Sequence, residues 1–151
     1  MRLVPLLFAV LTTSALAQDP FAPPGTALDG QSPESLAASW WQWAASAPEE
    51  LSPVRDRTGT HCAVGQTGEA WFLAGGYGSS KIRRACTVPK GRHLLFPVIN
   101  MVYWPATDGY WVILKPLPAG KHVLKFGGRY NRESGAFGRI VQDIEYELEV
   151  K

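Results

Sequence analysis

The feature that most constrains the fold is a strict alternation of apolar and acidic residues close to the C-terminus. Within residues 143–150 every second residue is apolar and its neighbours are acids: Ile144, Tyr146, Leu148 and Val150 against Asp143, Glu145, Glu147 and Glu149. Because successive side chains of a β-strand point to opposite faces, this alternation predicts a strand with one buried and one solvated face. Residues 121–127 repeat it with lysines in place of acids. If the two strands pair antiparallel, lysines oppose glutamates on the solvated face. A calcium-binding face is the alternative, but the sequence lacks a D-x-D-x-D-G loop.

Short runs of β-branched and aromatic residues, separated by glycine and proline, continue from His61 to the C-terminus. This spacing is typical of all-β sandwiches and barrels. Residues 94–102 are apolar on both faces, which predicts a central strand, and Pro97 predicts a bulge within it. The predicted strands are 61–65, 70–74, 81–88, 92–103, 109–115, 121–127 and 139–150. The expected fold is mainly β, over residues 32–151: a single-domain antiparallel β-sandwich or jelly-roll-like barrel.

One Trp-rich helix is predicted before the strands, at residues 33–46. Ser32 is a suitable N-cap, Pro33 suits the first helical position, and Pro48 ends the segment. At helical spacing one stripe of the helix contains Leu36, Trp40, Trp43, Ala44 and Ala47. The stripe predicts that this helix covers the sheet with Trp40 and Trp43, while Trp41 lies on the flank.

The first 17 residues have the features of a secretory signal peptide. Arg2 precedes an apolar stretch, and Ala15-Leu16-Ala17 is a small–x–small cleavage sequence. The apolar stretch is shorter than the roughly 20 residues that span a bilayer. We therefore expect cleavage after residues 1–17, no transmembrane anchor, and a secreted or periplasmic protein.

The exported chain is expected to start with an extended arm and to contain one disulfide. Residues 18–31 are rich in proline, glycine and aspartate and show no periodicity. Cys62 and Cys86 are the two cysteines of the chain, and an oxidising compartment favours their pairing. A redox or metal-binding pair is the alternative, but C-x-x-C spacing is absent.

Aromatic residues are unusually frequent, with six tryptophans, five tyrosines and six phenylalanines. Exported β-sandwiches use exposed aromatic rings to stack on sugars or apolar ligands, although packing is the simpler role. The candidates for a ligand-binding surface are Trp41, Tyr103, Trp104, Tyr110 and Trp111. A hairpin predicted around Trp104-Pro105 and Asp108-Gly109 would bring Tyr103, Trp104 and Tyr110 together.

Two histidines occupy a repeated sequence, P-x-G-[basic]-H-[apolar]-L, at His93 and His122. Similar turn-to-strand junctions explain the repeat, and a metal site or an acid–base pair is the alternative. Such an enzyme would need an acid, for which Glu69 and Asp108 are the candidates beside aromatic segments. The sequence lacks the H-x-H pattern of metal-binding cupin barrels, and residues 75–80 lack the spacing of a phosphate loop and are predicted as a hairpin loop.

Several specific motifs cover nearly all of residues 38–150. They are WWQWAAS (40–46), CAVGQTG (62–68) with WFLAG (71–75), RACTVPKG (84–91) with FPVIN (96–100), DGYW (108–111), and GKH (120–122) with FGG (126–128). Together they resemble a family of exported bacterial proteins to which no activity is assigned. The resemblance implies export and no particular chemistry. The chain departs from the family pattern by a short stretch between Asn100 and Asp108, and by His93 at a position where a small residue is more usual.

The sequence favours a non-catalytic exported binding or envelope-associated module, with a carbohydrate or a protein as its partner. Its formal net charge of +2 comes from scattered side chains without a basic stripe, which argues against nucleic acid. We expect no cofactor. The alternative is a secreted hydrolase or metal-dependent enzyme that uses His93, His122 and a nearby acid. The sequence gives no indication of the oligomeric state.

Overall fold

The structure is a computed structural model that describes residues 19–103, 106–131 and 139–151, with the backbone alone at 102–103 and 106–108. Its elements are helix α1 (Pro33–Ser46), a one-turn 3₁₀ helix (Glu49–Leu51) and six strands. The strands are β1 (Ala70–Phe72), β2 (Ser80–Val88), β3 (His93–Tyr103), β4 (Ala106–Leu114), β5 (Gly120–Asn131) and β6 (Arg139–Val150). The signal peptide predicted at 1–17 lies outside the described residues. Within those residues, no helix has the length and apolar character needed to cross a membrane.

The strands form two three-stranded sheets, in the orders β1-β3-β4 and β2-β6-β5. The predicted mainly β sandwich with one Trp-rich helix is confirmed, but the sheets are mixed. β1 pairs parallel with β3, and β2 pairs parallel with β6. The reason is that the chain changes sheet after β1 and again after β2, so β2 lies in a different layer from both β1 and β3. Residues 75–80 therefore cross between the sheets and do not form the hairpin loop that the glycines predict.

The alternating segments pair as predicted. β5 and β6 are antiparallel, with Lys121 opposite Glu149 and Lys125 opposite Glu145. The ammonium of Lys125 lies 2.8 Å from the Glu145 carboxylate. On the buried side, Ile144, Tyr146 and the other apolar residues of β6 fill the space between the sheets. The predicted charge-paired outer face is confirmed.

Helix α1 begins and ends where the sequence predicts. The Ser32 hydroxyl accepts a hydrogen bond from the Ser35 amide at 3.3 Å, and Pro33 occupies the first turn. The buried residues of the helix are Leu36, Ala37, Trp40, Trp43 and Ala44, which confirms four members of the predicted stripe; the fifth, Ala47, is the C-cap and is half-buried. This stripe packs on the outer face of the β1-β3-β4 sheet, against Phe72 and Leu95 among others. The molecule thus has three layers: a helix, the first sheet and the second sheet.

The predicted strand at 61–65 is wrong, because these residues form consecutive turns. The Cys62 amide donates to the Gly59 carbonyl at 3.1 Å, and the Val64 amide donates to the His61 carbonyl at 3.0 Å. Gly59 has a φ of 93° and so takes a conformation that favours glycine. The Cys62–Cys86 disulfide is confirmed, with a Cα–Cα distance of 6.0 Å, and it fastens this turn region to β2.

The predicted N-terminal arm lies along the outer edge of β4. The Ala22 amide donates to the Ile113 carbonyl, and the Lys115 amide donates to the Pro20 carbonyl, both at 2.9 Å. These two bonds make residues 20–22 a short extension of the first sheet. The arm leaves the edge at Pro23-Pro24, since proline has no amide hydrogen with which to continue the pairing.

Candidate binding cleft

Two cavities open side by side at the end of the sandwich where β3 and β5 finish and β4 and β6 begin. The helix-side cavity, of about 320 Å³, lies between α1, the loop 75–78 and the strands. The strand-side cavity, of about 380 Å³, is lined by β3, β4, β5 and β6. Both cavities are lined by Ile99, Asn100, Met101 and Ile140. We call the two cavities together the end cleft.

A bulge in β3 shapes this end of the molecule. The register of the β3–β4 pair shifts between Pro97 and Ile99, which confirms the irregularity that Pro97 predicts. Before the shift Leu94 and Phe96 face the second sheet while Leu95 faces the helix. After it, Ile99, Asn100 and Met101 all line the end cleft. The bulge therefore converts a packed strand into a cleft wall.

Aromatic rings border both cavities. Trp41 lines the helix-side cavity and packs edge-to-face on Trp40, with ring centroids 5.2 Å apart. Tyr77 lines the same cavity and is 61% exposed. Tyr110, which is 76% exposed, lines the strand-side cavity together with Tyr130. The Tyr77 and Tyr110 rings are exposed to solvent, so they are available to stack on a ligand.

The loop that carries Tyr77 is held in place by Gln142. The side-chain amide of Gln142 donates to the Gly76 carbonyl at 2.6 Å and to the Gly78 carbonyl at 3.1 Å, and its oxygen accepts from the Gly76 amide at 3.3 Å. The Ser80 hydroxyl donates to the Tyr77 carbonyl at 2.8 Å. A Cβ at Gly76 would lie within 3 Å of Ser80 and Ile82 side-chain atoms, so the close approach of this loop to β2 requires glycine. Tyr77 is thus presented by an ordered loop.

A buried arginine supports the same wall from beneath. Arg84 on β2 is 2% exposed, and all five of its N–H groups donate hydrogen bonds. The acceptors are the carbonyls of Val54, Asp56, Ala74 and Gly75 and the hydroxyl of Tyr146, at 2.7–3.2 Å. Val54 and Gly75 themselves line the helix-side cavity. Arg84 is therefore a positioning residue for two segments of the cleft wall.

Two ionisable side chains belong to the same support. Burial raises the pKa of the Tyr146 hydroxyl, and the nearby Arg84 charge offsets this only in part. Burial also acts to raise the pKa of the Asp56 carboxyl, but hydrogen bonds from the His61 and Thr58 amides and the Thr58 hydroxyl outweigh it and hold that pKa below its usual range. Tyr146 is therefore neutral and Asp56 charged in the native protein near neutral pH.

Two hydrogen-bond donors in the end cleft lack acceptors. The indole N–H of Trp41 and the side-chain NH₂ of Asn100 are shielded from solvent and have no partner in the described part of the chain. The neighbouring indoles differ: Trp40 donates to the Leu73 carbonyl at 3.0 Å, and Trp43 donates to the Val64 carbonyl at 2.8 Å. Buried polar groups are nearly always hydrogen-bonded, so these two donors, unpaired among the described residues, are the groups of the cleft best suited to bond an acceptor on a ligand.

The described residues that line the end cleft include no aspartate, glutamate, lysine, arginine or histidine. The Arg55 guanidinium lies 5.7 Å from the centre of the Tyr77 ring. Among the described residues, the lining is apolar apart from tyrosine hydroxyls, amides and backbone groups. Such a surface suits a neutral ligand with apolar faces and hydrogen-bonding oxygens.

The structure brings together part of the predicted aromatic surface. Trp41 and Tyr110 line adjoining cavities of the end cleft. Trp111 faces the other way, because neighbouring residues of β4 alternate, and its ring packs on Trp40 at 5.4 Å. The side chain of Tyr103 and all of Trp104 lie outside the described residues. Tyr77, Tyr130 and Asn100 were missed by the sequence analysis.

The two histidines lie in different layers. His93 is on the same side of β3 as Leu95, which packs against the helix. The Nδ1 atom of His93 is buried and has no partner among the described residues. His122 is on the same side of β5 as Leu124, which packs between the sheets. The Nε2 atom of His122 lies 2.7 Å from the Pro118 carbonyl. This placement does not bring the two rings together.

The candidate acids do not complete a site around either histidine. Glu69 is exposed, and its backbone amide donates to the Asp29 carboxylate at 2.6 Å. The side chain of Asp108 lies outside the described residues. No group of three or more histidine, cysteine, aspartate or glutamate side chains in the described part of the chain could hold a metal ion. The metal-dependent alternative therefore gains no geometric support.

Comparisons of the chain with protein-family models, with curated proteins and with solved structures gave no match. The resemblance drawn from the motifs stays a prediction.

Proposed function

We propose that this protein is a non-catalytic binding module, exported by its N-terminal signal, and that its end cleft binds a neutral carbohydrate. The observation that carries the proposal is the pair of unpartnered donors, Trp41 Nε1 and Asn100 Nδ2, in a cleft bordered by exposed aromatic rings. A sugar ring offers a C–H face to an aromatic side chain and oxygens to an N–H donor. Binding exchanges an unsatisfied donor for a hydrogen bond.

A protein partner is less well supported by the surface. A contiguous exposed apolar patch of several hundred Å² marks many protein-interaction surfaces. Among the described residues, the exposed large hydrophobic residues are Phe21, Leu51, Tyr77, Tyr110 and Val123, which lie on five different segments of the chain. Only Tyr77 and Tyr110 among them share the end cleft. The exposed apolar surface is thus scattered except where the aromatic rings border the cavities.

The test is a thermal-shift screen of the purified oxidised protein with neutral oligosaccharides, namely gluco-, manno-, xylo- and N-acetylglucosamine tetramers. A ligand present at 100 times its Kd stabilises the protein by about 2.7 kcal/mol, which raises Tm by several degrees. We expect at least one of these tetramers to produce such a shift.

Site variants assign the binding to the cleft. Tyr77→Ala and Tyr110→Ala remove exposed rings, so the free protein should keep its Tm while Kd rises about tenfold, equivalent to about 1.4 kcal/mol. Val123→Ala is the matched control, because Val123 is 63% exposed on the outer face of β5, away from the cleft. The absence of any shift over the whole panel contradicts the proposal. Equal weakening by Val123→Ala contradicts the assignment to the cleft.

A further inference from the structure

We infer that the sugar recognised in the end cleft carries acetamido groups, as N-acetylated hexosamine chains do. This inference rests on the proposed function and names the ligand's chemistry. It comes from the difference between the backbone carbonyls of the cleft wall, which already accept hydrogen bonds from the protein, and two buried side-chain donors of the lining, which have no partner among the described residues.

Four backbone carbonyls of the cleft wall already accept hydrogen bonds from the protein. The Gly76 and Gly78 carbonyls accept from the Gln142 side chain, and the Val54 and Gly75 carbonyls accept from Arg84. The buried side-chain atoms of the described lining that have no partner are both donors, Trp41 Nε1 and Asn100 Nδ2. A ligand group that only accepts matches this lining better than a hydroxyl, whose own hydrogen needs an acceptor in turn.

The carbonyl side of an acetamido group accepts hydrogen bonds and donates none. Its carbonyl oxygen has two lone pairs and can accept from two N–H groups, while its N–H points the opposite way in the trans amide. Its methyl group needs an apolar contact, which Ile99, Met101 and Ile140 provide beside Asn100. Both donor atoms have almost no solvent contact in the free protein. A side-chain rearrangement of the cleft therefore accompanies binding.

The cleft has room for more than one sugar ring. The two cavities, of about 320 and 380 Å³, share Ile99, Asn100, Met101 and Ile140 as a common wall. Each cavity has an exposed tyrosine at its border, Tyr77 on the helix side and Tyr110 on the strand side. One ring in each cavity would place the acetamido group beside Asn100, where the cavities meet. The ligand is therefore a chain of at least two residues.

The test compares three β-1,4-linked tetrasaccharides that differ at carbon 2. They are the tetramers of N-acetylglucosamine, glucosamine and glucose, which carry an acetamido, an ammonium and a hydroxyl group. Isothermal titration calorimetry on the oxidised protein should give a Kd for the acetamido tetramer at least tenfold below the other two. The N-acetylglucosamine monomer should bind at least tenfold more weakly than its tetramer.

Two variants remove the donors while they keep side chains of the same general shape. Trp41→Phe keeps an aromatic ring without the indole N–H, and Asn100→Leu keeps a side chain of similar size without the NH₂. Each should reduce the preference for the acetamido tetramer over the glucose tetramer to threefold or less. Trp71→Phe is the matched control, because the Trp71 indole N–H is equally unpartnered but lies in the core between the sheets. It should leave the preference unchanged.

The outcomes separate the inference from the proposed function. Equal binding of the three tetramers overturns the acetamido inference and leaves a carbohydrate module in place. Binding of none of them, in a protein that binds no other glycan, overturns both. An acetylated tetra-alanine peptide that binds as tightly as the acetamido tetramer also overturns the inference, since the cleft would then recognise an amide carbonyl on an extended peptide.

Discussion

Replacing Arg84 by methionine tests whether the guanidinium holds the cleft wall and the fold together. Methionine has a similar length and no N–H groups. The change leaves the carbonyls of Val54, Asp56 and Gly75 without the Arg84 donors, while the Ala74 carbonyl keeps a hydrogen bond from the Tyr146 hydroxyl. No carboxylate forms an ion pair with Arg84 in the described part of the chain. The charge is therefore compensated by backbone dipoles, and the loss acts on the loops that supply them.

The magnitude follows from the number of orphaned acceptors. A buried polar group without a partner costs about 1–3 kcal/mol, and water entering at the cleft side relieves part of this for Val54 and Gly75. We expect Arg84→Met to lower the free energy of unfolding by about 3–5 kcal/mol, and Tm by about 10–20 °C. This is a large share of the roughly 5–15 kcal/mol that stabilises a typical domain.

The assay is guanidinium unfolding followed by tryptophan fluorescence, which reports the buried Trp40 and Trp43. Arg83→Met is the matched control on the same strand, since the Arg83 side chain is 71% exposed and lies 3.8 Å from Glu145. Exposed ion pairs contribute roughly 0–1 kcal/mol, so the control should be nearly neutral. If the two variants lose the same stability, the reasoning about Arg84 is wrong.

Three further predictions concern the groups that fasten the turns and the core. Replacing both Cys62 and Cys86 by alanine should cost about 3.5 kcal/mol at a separation of 24 residues, measured by the same unfolding assay; reduction that leaves Tm unchanged would contradict this. The hydrogen bonds that lower the pKa of Asp56 contribute stability that is present above the usual aspartate pKa of about 3.9 and is lost as pH falls through the lower native value. Asp56→Asn should therefore flatten the fall in Tm on the acid side of about pH 4, and an unchanged slope would count against the assignment. Burial raises the pKa of Tyr146, so the contribution of its neutral hydroxyl to stability is complete below about pH 10 and is lost as pH rises through the native pKa. Tyr146→Phe should therefore flatten the fall in Tm on the alkaline side. A variant whose Tm falls with pH in parallel with the native protein would refute this prediction.

Elements whose determinants are local could be predicted from the sequence. Helix α1 is specified by Ser32 at its N-cap, Pro33 in its first turn and an apolar stripe, all within one segment. The alternation in β6 specifies which side chains are buried, because the period of a strand is two residues. The outer charge pairs follow once β5 and β6 lie side by side. The disulfide needed only the count of cysteines and an oxidising compartment.

The pairing of strands depends on contacts that no local pattern encodes. An apolar alternation is the same whether the neighbouring strand is parallel or antiparallel, so the sequence does not show that the β1–β3 and β2–β6 pairs are parallel. The false strand at 61–65 has a similar origin. Its residues form turns that Gly59 permits, with Cys62 buried in the disulfide, and they make no ladder of hydrogen bonds.

The end cleft was the hardest part to predict, because it depends on departures from regular patterns. Pro97 predicts a bulge in β3, but because the residues of this strand are apolar on both faces, the sequence does not show that Asn100 then lines a cavity. In the sequence, Arg84 is indistinguishable from the exposed charged residues of a strand with alternating polarity. Only the fold shows that backbone carbonyls surround its guanidinium. Both features violate the rule that buried polar groups are few. Such violations are retained where they have a use, which is why the unpartnered donors of the cleft, rather than its apolar lining, carry the functional argument.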